Sequence, residues 1–130
     1  MDTVLKFLKD SEVFYFATVE GDQPRVRPFG AVCKYEGKLY FSTTNQKPTF
    51  EQIKQNPKIE ISACIKDQWI RLVGEAVIDT NREAKTIFLK EYPILSTMYN
   101  VDDNLFEVFY LKNATATICS LSGESKTLQL

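Results

Sequence analysis

Histidine is absent from all 130 residues. Its absence removes histidine-based triads, most catalytic metal sites and an axial histidine for haem. Cysteine is scarce: Cys33, Cys64 and Cys119 are far apart, odd in number and form no CxxC pair. Such spacing suggests neither a zinc site nor a disulfide framework, so the expectation is small buried hydrophobes in a reducing compartment. No stretch approaches the roughly 20 apolar residues of a membrane-spanning helix. The opening MDTVLKFLKDSE interrupts its apolar positions with lysines, unlike a secretory leader, so the expected location is the cytoplasm. A basic excess is missing as well. Lysine plus arginine number 16 against 17 acidic residues, for a net charge of -1, which argues against broad electrostatic binding to nucleic acid.

What is present is ordinary globular material. The chain is 44% apolar and 25% charged, and its length fits a single domain over residues 1–130. Val4, Leu5, Phe7 and Leu8 mark a short N-terminal helix that Asp2 or Thr3 caps. VFYFATV at 13–19 reads as a strand, and a longer one follows at 24–35. The turn YEGK leads into strand LYFST at 39–43. A helix is expected over 46–56, with Thr49 and Gln52 at capping-box spacing and Pro48 in its first turn. KIEISACI at 58–65 and WIRLVGEAVI at 69–78 alternate cleanly as strands. Thr80 and Glu83 make a second capping-box pattern, and YPILSTMYN is irregular or a short helix. Strands at 106–112 and 114–121 meet at KNA, with a last short segment after SGES. The fold class is therefore mainly β: six or seven antiparallel strands in a small barrel, with two or three short helices as covers.

Of the four arginines, two stand in PRVRPFG at 24–30. Alternation places Arg25, Arg27 and Phe29 on one face of a strand, where like charges repel unless something anionic is near. After strand 39–43 come Ser42, Thr43, Thr44 and Lys47, immediately before a helix whose N-terminus favours anions. If strand 24–35 pairs with 39–43 about the Glu36–Gly37 turn, Lys47 falls roughly opposite residue 26, near both arginines. Taken alone, the hydroxyls are caps and the arginines solvated decoration. Taken together they make an anion site, and the two readings stand side by side at this point.

The segments FATVEGDQPRVRPFGAV, KLYFSTTNQKPTFEQIKQNPKIEI and WIRLVGEAVI resemble the pyridoxamine 5′-phosphate oxidase-like family of FMN-binding split barrels. The resemblance runs from about residue 10 to about residue 80, and the C-terminal third is similar to the nitroimidazole-reductase-like bacterial branch. It implies a split barrel that binds FMN as a homodimer, with the cofactor sites at the interface. It further implies that Arg27, then Arg25, reaches the phosphate and that Val26, Pro28 and Phe29 contact the flavin ring. Lys47 would grip the phosphate with Ser42, Thr43 and Thr44 around it, and Gln68 and Trp69 would touch the cofactor from the other subunit. The sequence departs from the oxidases proper, whose C-terminal arginine and histidine residues engage substrate; it ends at Leu130 without histidine. Oxidation of pyridoxamine phosphate is accordingly not expected.

The expected activity is an FMN-dependent oxidoreductase passing electrons from reduced nicotinamide or another small donor to a small acceptor of unknown identity. The alternative is a non-enzymatic, stress-related flavin-binding protein. An oligonucleotide-binding barrel is a third class, disfavoured by the isoelectric point of about 5.5. No catalytic residue is assigned; Tyr15, Tyr40 and Cys33 qualify as proton donors by position only, and packing is the plainer role for each.

Overall fold

The structure is a computed structural model describing residues 1–130. Helix α1 (Asp2–Ser11) is followed by β1 (Phe14–Glu20), β2 (Gln23–Phe29), β3 (Cys33–Tyr35) and β4 (Lys38–Thr44). Then come α2 (Pro48–Gln55), β5 (Lys58–Ile65), β6 (Gln68–Asp79), α3 (Arg82–Glu91), α4 (Pro93–Ser96), β7 (Phe106–Ser120) and β8 (Ser125–Gln129). All eight strands belong to one antiparallel sheet ordered β2-β1-β5-β6-β7-β4-β3, with β8 attached to β7. The sheet wraps as a split barrel and does not close, because its end strands β2 and β3 do not pair.

The expected strand 24–35 is two strands. Its C-terminal part pairs in the anticipated register, Cys33 opposite Tyr40 and Tyr35 opposite Lys38. Its N-terminal part instead pairs with β1, placing Phe29 opposite Phe14 and Arg27 opposite Phe16. Pro24 and Pro28 lack donors for a second neighbour, which suits β2 to an edge. The opposite revision applies to the C-terminal hairpin expected at KNA. Residues 106–120 form one long strand, in which Asn113 and Ala114 bulge opposite Gly74. Asn113 takes a positive φ of 52°, so the turn signal marks an extra residue in the ladder rather than a reversal. Gly74 suits the close approach there, since a Cβ would sit 3.3 Å from the Ala114 Cβ and the neighbour would have to give by a few tenths of an ångström.

Both capping boxes also resolve differently. Asn81, one residue after Thr80, accepts from the Ala84 N–H and caps α3. Helix α2 starts after Lys47 with no side-chain cap, and Gln52 turns inward. Met1, not Asp2 or Thr3, occupies the N-cap of α1, while Asp2 accepts from Lys34 at 2.8 Å.

Alternation along β1, β5 and β6 sends Phe14, Phe16, Ile59, Ile61, Ile70 and Leu72 into the barrel, where α1 and α2 add Val4, Leu8 and Ile53. Phe16 is fully buried and stacks on Phe29 with centroids 4.7 Å apart, touching Phe41 and Phe109 as well. A second cluster under α3 joins Cys33, Tyr40, Ala84, Phe88 and Phe106. Of the cysteines only Cys33 is buried; Cys64 is exposed and Cys119 half-buried, on either side of Trp69 in one cross-strand row. Their outward strand positions overturn the expectation of three core cysteines. No helix is long and apolar enough to cross a membrane.

Phe16→Ala removes the ring on which three aromatic contacts converge and should cost about 3–5 kcal/mol in urea-denaturation stability, the range for large-to-small core changes.

Candidate functional site

The strand edges that fail to pair border the main pocket. Beyond Tyr40, β4 has lost β3 as a neighbour, and β2 has none on its outer side. The cavity, about 620 Å³, is lined by Arg27, Pro28 and Phe29 of β2, the connecting Gly30 and Ala31, Ser42 and Thr43 of β4, and Lys47–Thr49 at the start of α2. Tyr92, at the N-cap of α4, and Ile94 and Leu95 within it close the cavity. Lys47 thus meets Arg27 at one pocket by a different route from the hairpin register expected of the sequence. The two lie on facing sides of the split.

The polar interior concentrates here. Thr18, Thr43, Thr44, Thr49 and Gln52 are the five buried polar residues of the chain, and all belong to β1, β4 or α2. Thr18 donates to Gln52 Oε1 at 2.6 Å, and Thr44 Oγ1 accepts weakly from the Gln46 N–H at 3.4 Å. Thr43 Oγ1 is the one buried side-chain polar atom without a partner. Leaving a buried hydroxyl unbonded costs on the order of 1–3 kcal/mol, so its place on the pocket wall calls for a ligand oxygen.

Charge points the same way. Arg25 pairs with Glu20, Arg71 with Glu60 and Arg82 with Asp102. Arg27 alone among the arginines has no carboxylate partner, and Lys47 forms no ion pair. Burial, and secondarily the charge of Arg25, lowers the Arg27 pKa from its ordinary value. No acidic residue lines the pocket. Two uncompensated cations, an orphaned hydroxyl and a helix N-terminus without a side-chain cap therefore border one pocket, an arrangement suited to a phosphate.

The structure brings together Arg27, Pro28, Phe29, Ser42, Thr43 and Lys47. Thr44 is buried immediately behind them. Arg25 lies outside the pocket, donating to Glu20 at 3.0 Å. Val26 points to the opposite, outer face of the sheet and is 67% exposed. Trp69 opens β6 on that outer face, the exposed Gln68 before it falls on the other face, and neither lines this pocket. Sequence reasoning missed Tyr92, Ile94 and Leu95, whose segment offered no clear periodicity, and it misread Gln52 as a cap. It also missed Thr18, which looked like one more strand residue.

The positional proton donors are engaged elsewhere. Burial pushes the Cys33 thiol up to about 12. Tyr40 is buried and donates to Asp79 at 2.7 Å, with its pKa raised by burial first and then by that carboxylate. Tyr15 is 52% exposed on the outer face, not packed as expected. Tyr92, the one titratable acid on the pocket wall, donates to the Val32 carbonyl at 2.8 Å and accepts from the Val32 N–H at 3.0 Å.

A family model for pyridoxamine 5′-phosphate oxidase matches residues 1–115. The chain is similar to a NimC/NimA family protein from Clostridium acetobutylicum, at 53% identity and a TM-score of 0.93, covering 98% of this chain and 93% of that one. It shares its fold with General Stress Protein 26 from Bacillus anthracis, at 19% identity and a TM-score of 0.73 over 99% and 97% of the two chains. The same holds for a pyridoxamine 5′-phosphate oxidase-related, FMN-binding protein from Nostoc punctiforme, at 14% identity and a TM-score of 0.66 over 99% and 94%. No curated protein matches the chain.

Tyr92→Phe deletes both bonds to the Val32 backbone at the split, and the stability measured in urea should fall by about 1–3 kcal/mol.

Proposed function

The chain belongs to the pyridoxamine 5′-phosphate oxidase family, alongside the NimC/NimA family protein, and from that premise we propose that it binds FMN at the barrel split and is an FMN-dependent oxidoreductase. The observation that carries the reading is the uncompensated charge of Arg27 and Lys47 in one pocket without carboxylates. A phosphate monoester brings nearly two negative charges to these two cations. The orphaned Thr43 hydroxyl supplies a donor, and the start of α2, where Pro48 has no N–H and that of Phe50 is bonded to the Lys47 carbonyl, adds the Thr49 N–H. Phe29, Ala31, Ile94 and Leu95 offer an apolar surface to a flat ring system.

FMN, when bound, supplies two-electron transfer between a small reduced donor and a small acceptor. The chain's own part is to hold the phosphate, orient the ring and restrict what else enters. No imidazole, thiol or carboxyl group lines the pocket, so the protein contributes no obvious general acid. Nor is there a third cation, and a phosphorylated substrate such as pyridoxamine phosphate would find no charge partner there. The reading is therefore an oxidoreductase whose acceptor is small and uncharged.

A second copy of the chain fits the same proposal. Val26, Ala17, Glu60 and Val73 align in one cross-strand row on the outer face, Tyr15 lies in the next row of that face, and Trp69 in the row after it. Tyr15, Val26 and Val73 are 52%, 67% and 42% exposed, an apolar surface that pairing two copies would cover. Trp69 would lie at the end of that interface, with Gln68 beside it on the other face of β6.

Purified protein incubated with FMN and desalted should keep a flavin absorbance spectrum. In fluorescence titrations Arg27→Ala and Lys47→Ala should each weaken FMN binding by about 1.5–3 kcal/mol, the range for a charge-assisted bond; unchanged affinity in both overturns the phosphate assignment. In sedimentation the flavin-loaded protein should be a dimer, and Val26→Asp should give a monomer that loses FMN. A monomer that retains it would rule out a site shared between subunits.

A further inference from the structure

Arg27 is held in place by neutral groups alone. Its Nη1 donates to Thr18 Oγ1 at 2.8 Å and to the Phe16 carbonyl at 3.3 Å, while Nη2 donates to Gln52 Oε1 at 2.6 Å. Thr18 and Gln52 are themselves bonded at 2.6 Å, so their two oxygens sit side by side across the end of the guanidinium fork. We propose that Gln52, supported by Thr18, is a positioning and specificity residue that orients Arg27 toward a phosphate monoester without cancelling its charge. The inference rests on the FMN reading above and names what makes that site select the phosphorylated flavin.

The count of donors carries the argument. A guanidinium has five N–H groups in a rigid plane. Three are committed to Phe16, Thr18 and Gln52. The remaining two are Nε–H and the second Nη2–H, which point along the same side edge of the plane. That edge matches two oxygens of one phosphate, the bidentate geometry for which arginine is suited. With the end edge occupied, the side edge is what Arg27 offers a ligand.

The choice of acceptor matters as much as the geometry. Glutamate at position 52 would reach the same place with the same shape, yet it would pair with Arg27 and neutralise it. The other three arginines show that outcome, each held by a carboxylate. Gln52 and Thr18 are 6% and 2% exposed, so neither is there for solubility. On a short helix whose other inward positions include Ile53, a leucine would fill the space at less desolvation cost. A buried amide that accepts from both Thr18 and Arg27 is explained by the need to hold a cation still and leave it a cation.

The test uses FMN and riboflavin, which share ring and ribityl chain and differ by the phosphate. Wild type and Gln52→Glu are titrated with each by flavin fluorescence, and their thermal midpoints are measured without ligand. The expected result is a loss of FMN affinity of about tenfold or more in Gln52→Glu, equal to roughly 1.4 kcal/mol. Riboflavin affinity should change by less than about twofold, and the ligand-free midpoint should hold or rise as the new ion pair forms. A parallel loss for both flavins would mean that Gln52 serves only the fold, and unchanged affinity for both would mean that it serves neither; each overturns the proposal. If Gln52→Glu does not fold, Thr18→Val removes half of the clamp without adding charge. It should weaken FMN by roughly threefold to tenfold with riboflavin unmoved, and an equal effect on both overturns the proposal too. Wild type that takes up neither flavin would overturn the FMN reading and this inference with it, whereas wild type that binds FMN beside an unmoved FMN-to-riboflavin ratio in the variants would overturn this inference alone.

Discussion

Residues 30–32 join the two edge strands of the sheet, and so short a link keeps β2 beside the β3–β4 hairpin while the two edges stay unpaired. Everything at the candidate site depends on that gap. An unpaired edge is usually a liability, since its N–H and C=O groups invite another strand. Here β2 carries two prolines, β3 is only three residues long, and Tyr92 bonds both backbone groups of Val32. The barrel is held open from inside its own architecture, and the opening becomes a pocket.

Keeping the opening polar has an energetic cost that the surrounding core offsets. Large buried aromatics, Phe14, Phe16, Phe41 and Phe109, pack edge to face and in stacks directly beneath it. Against that rigid base the chain buries Thr18 and Gln52 and half-buries Arg27, groups that would be unfavourable in a purely apolar interior. Most are satisfied by one another. The exception, Thr43, faces the cavity. Polar strain and unpaired positive charge thus coincide in one place, and the remainder of the molecule carries its polar groups at the surface.

The same contrast explains the chemistry the site supports. A pocket with two cations and no carboxylate suits an anionic ligand, and on the proposed reading electron transfer is left to the cofactor. Substrate choice would then fall to shape and to the apolar wall from α4, where Ile94 is 72% exposed.

Much of this was written along the chain in local patterns. Strand patterns identified β1, β4, β5 and β6 nearly to the residue, and the RVRPF and STTNQK segments marked two stretches that meet at one pocket. The strands are legible because period-2 burial is a property of neighbouring residues. What the sequence could not decide was whether one extended run, 24–35, served one partner strand or two, or whether KNA turned the chain or bulged it. Gln52 likewise matched a capping box by spacing and became an anchor for Arg27 only because α2 packs on β1. Strand partners and buried hydrogen bonds are chosen by residues far apart in the chain, so the tertiary structure alone determined which arginine faces the pocket and which is tied to Glu20.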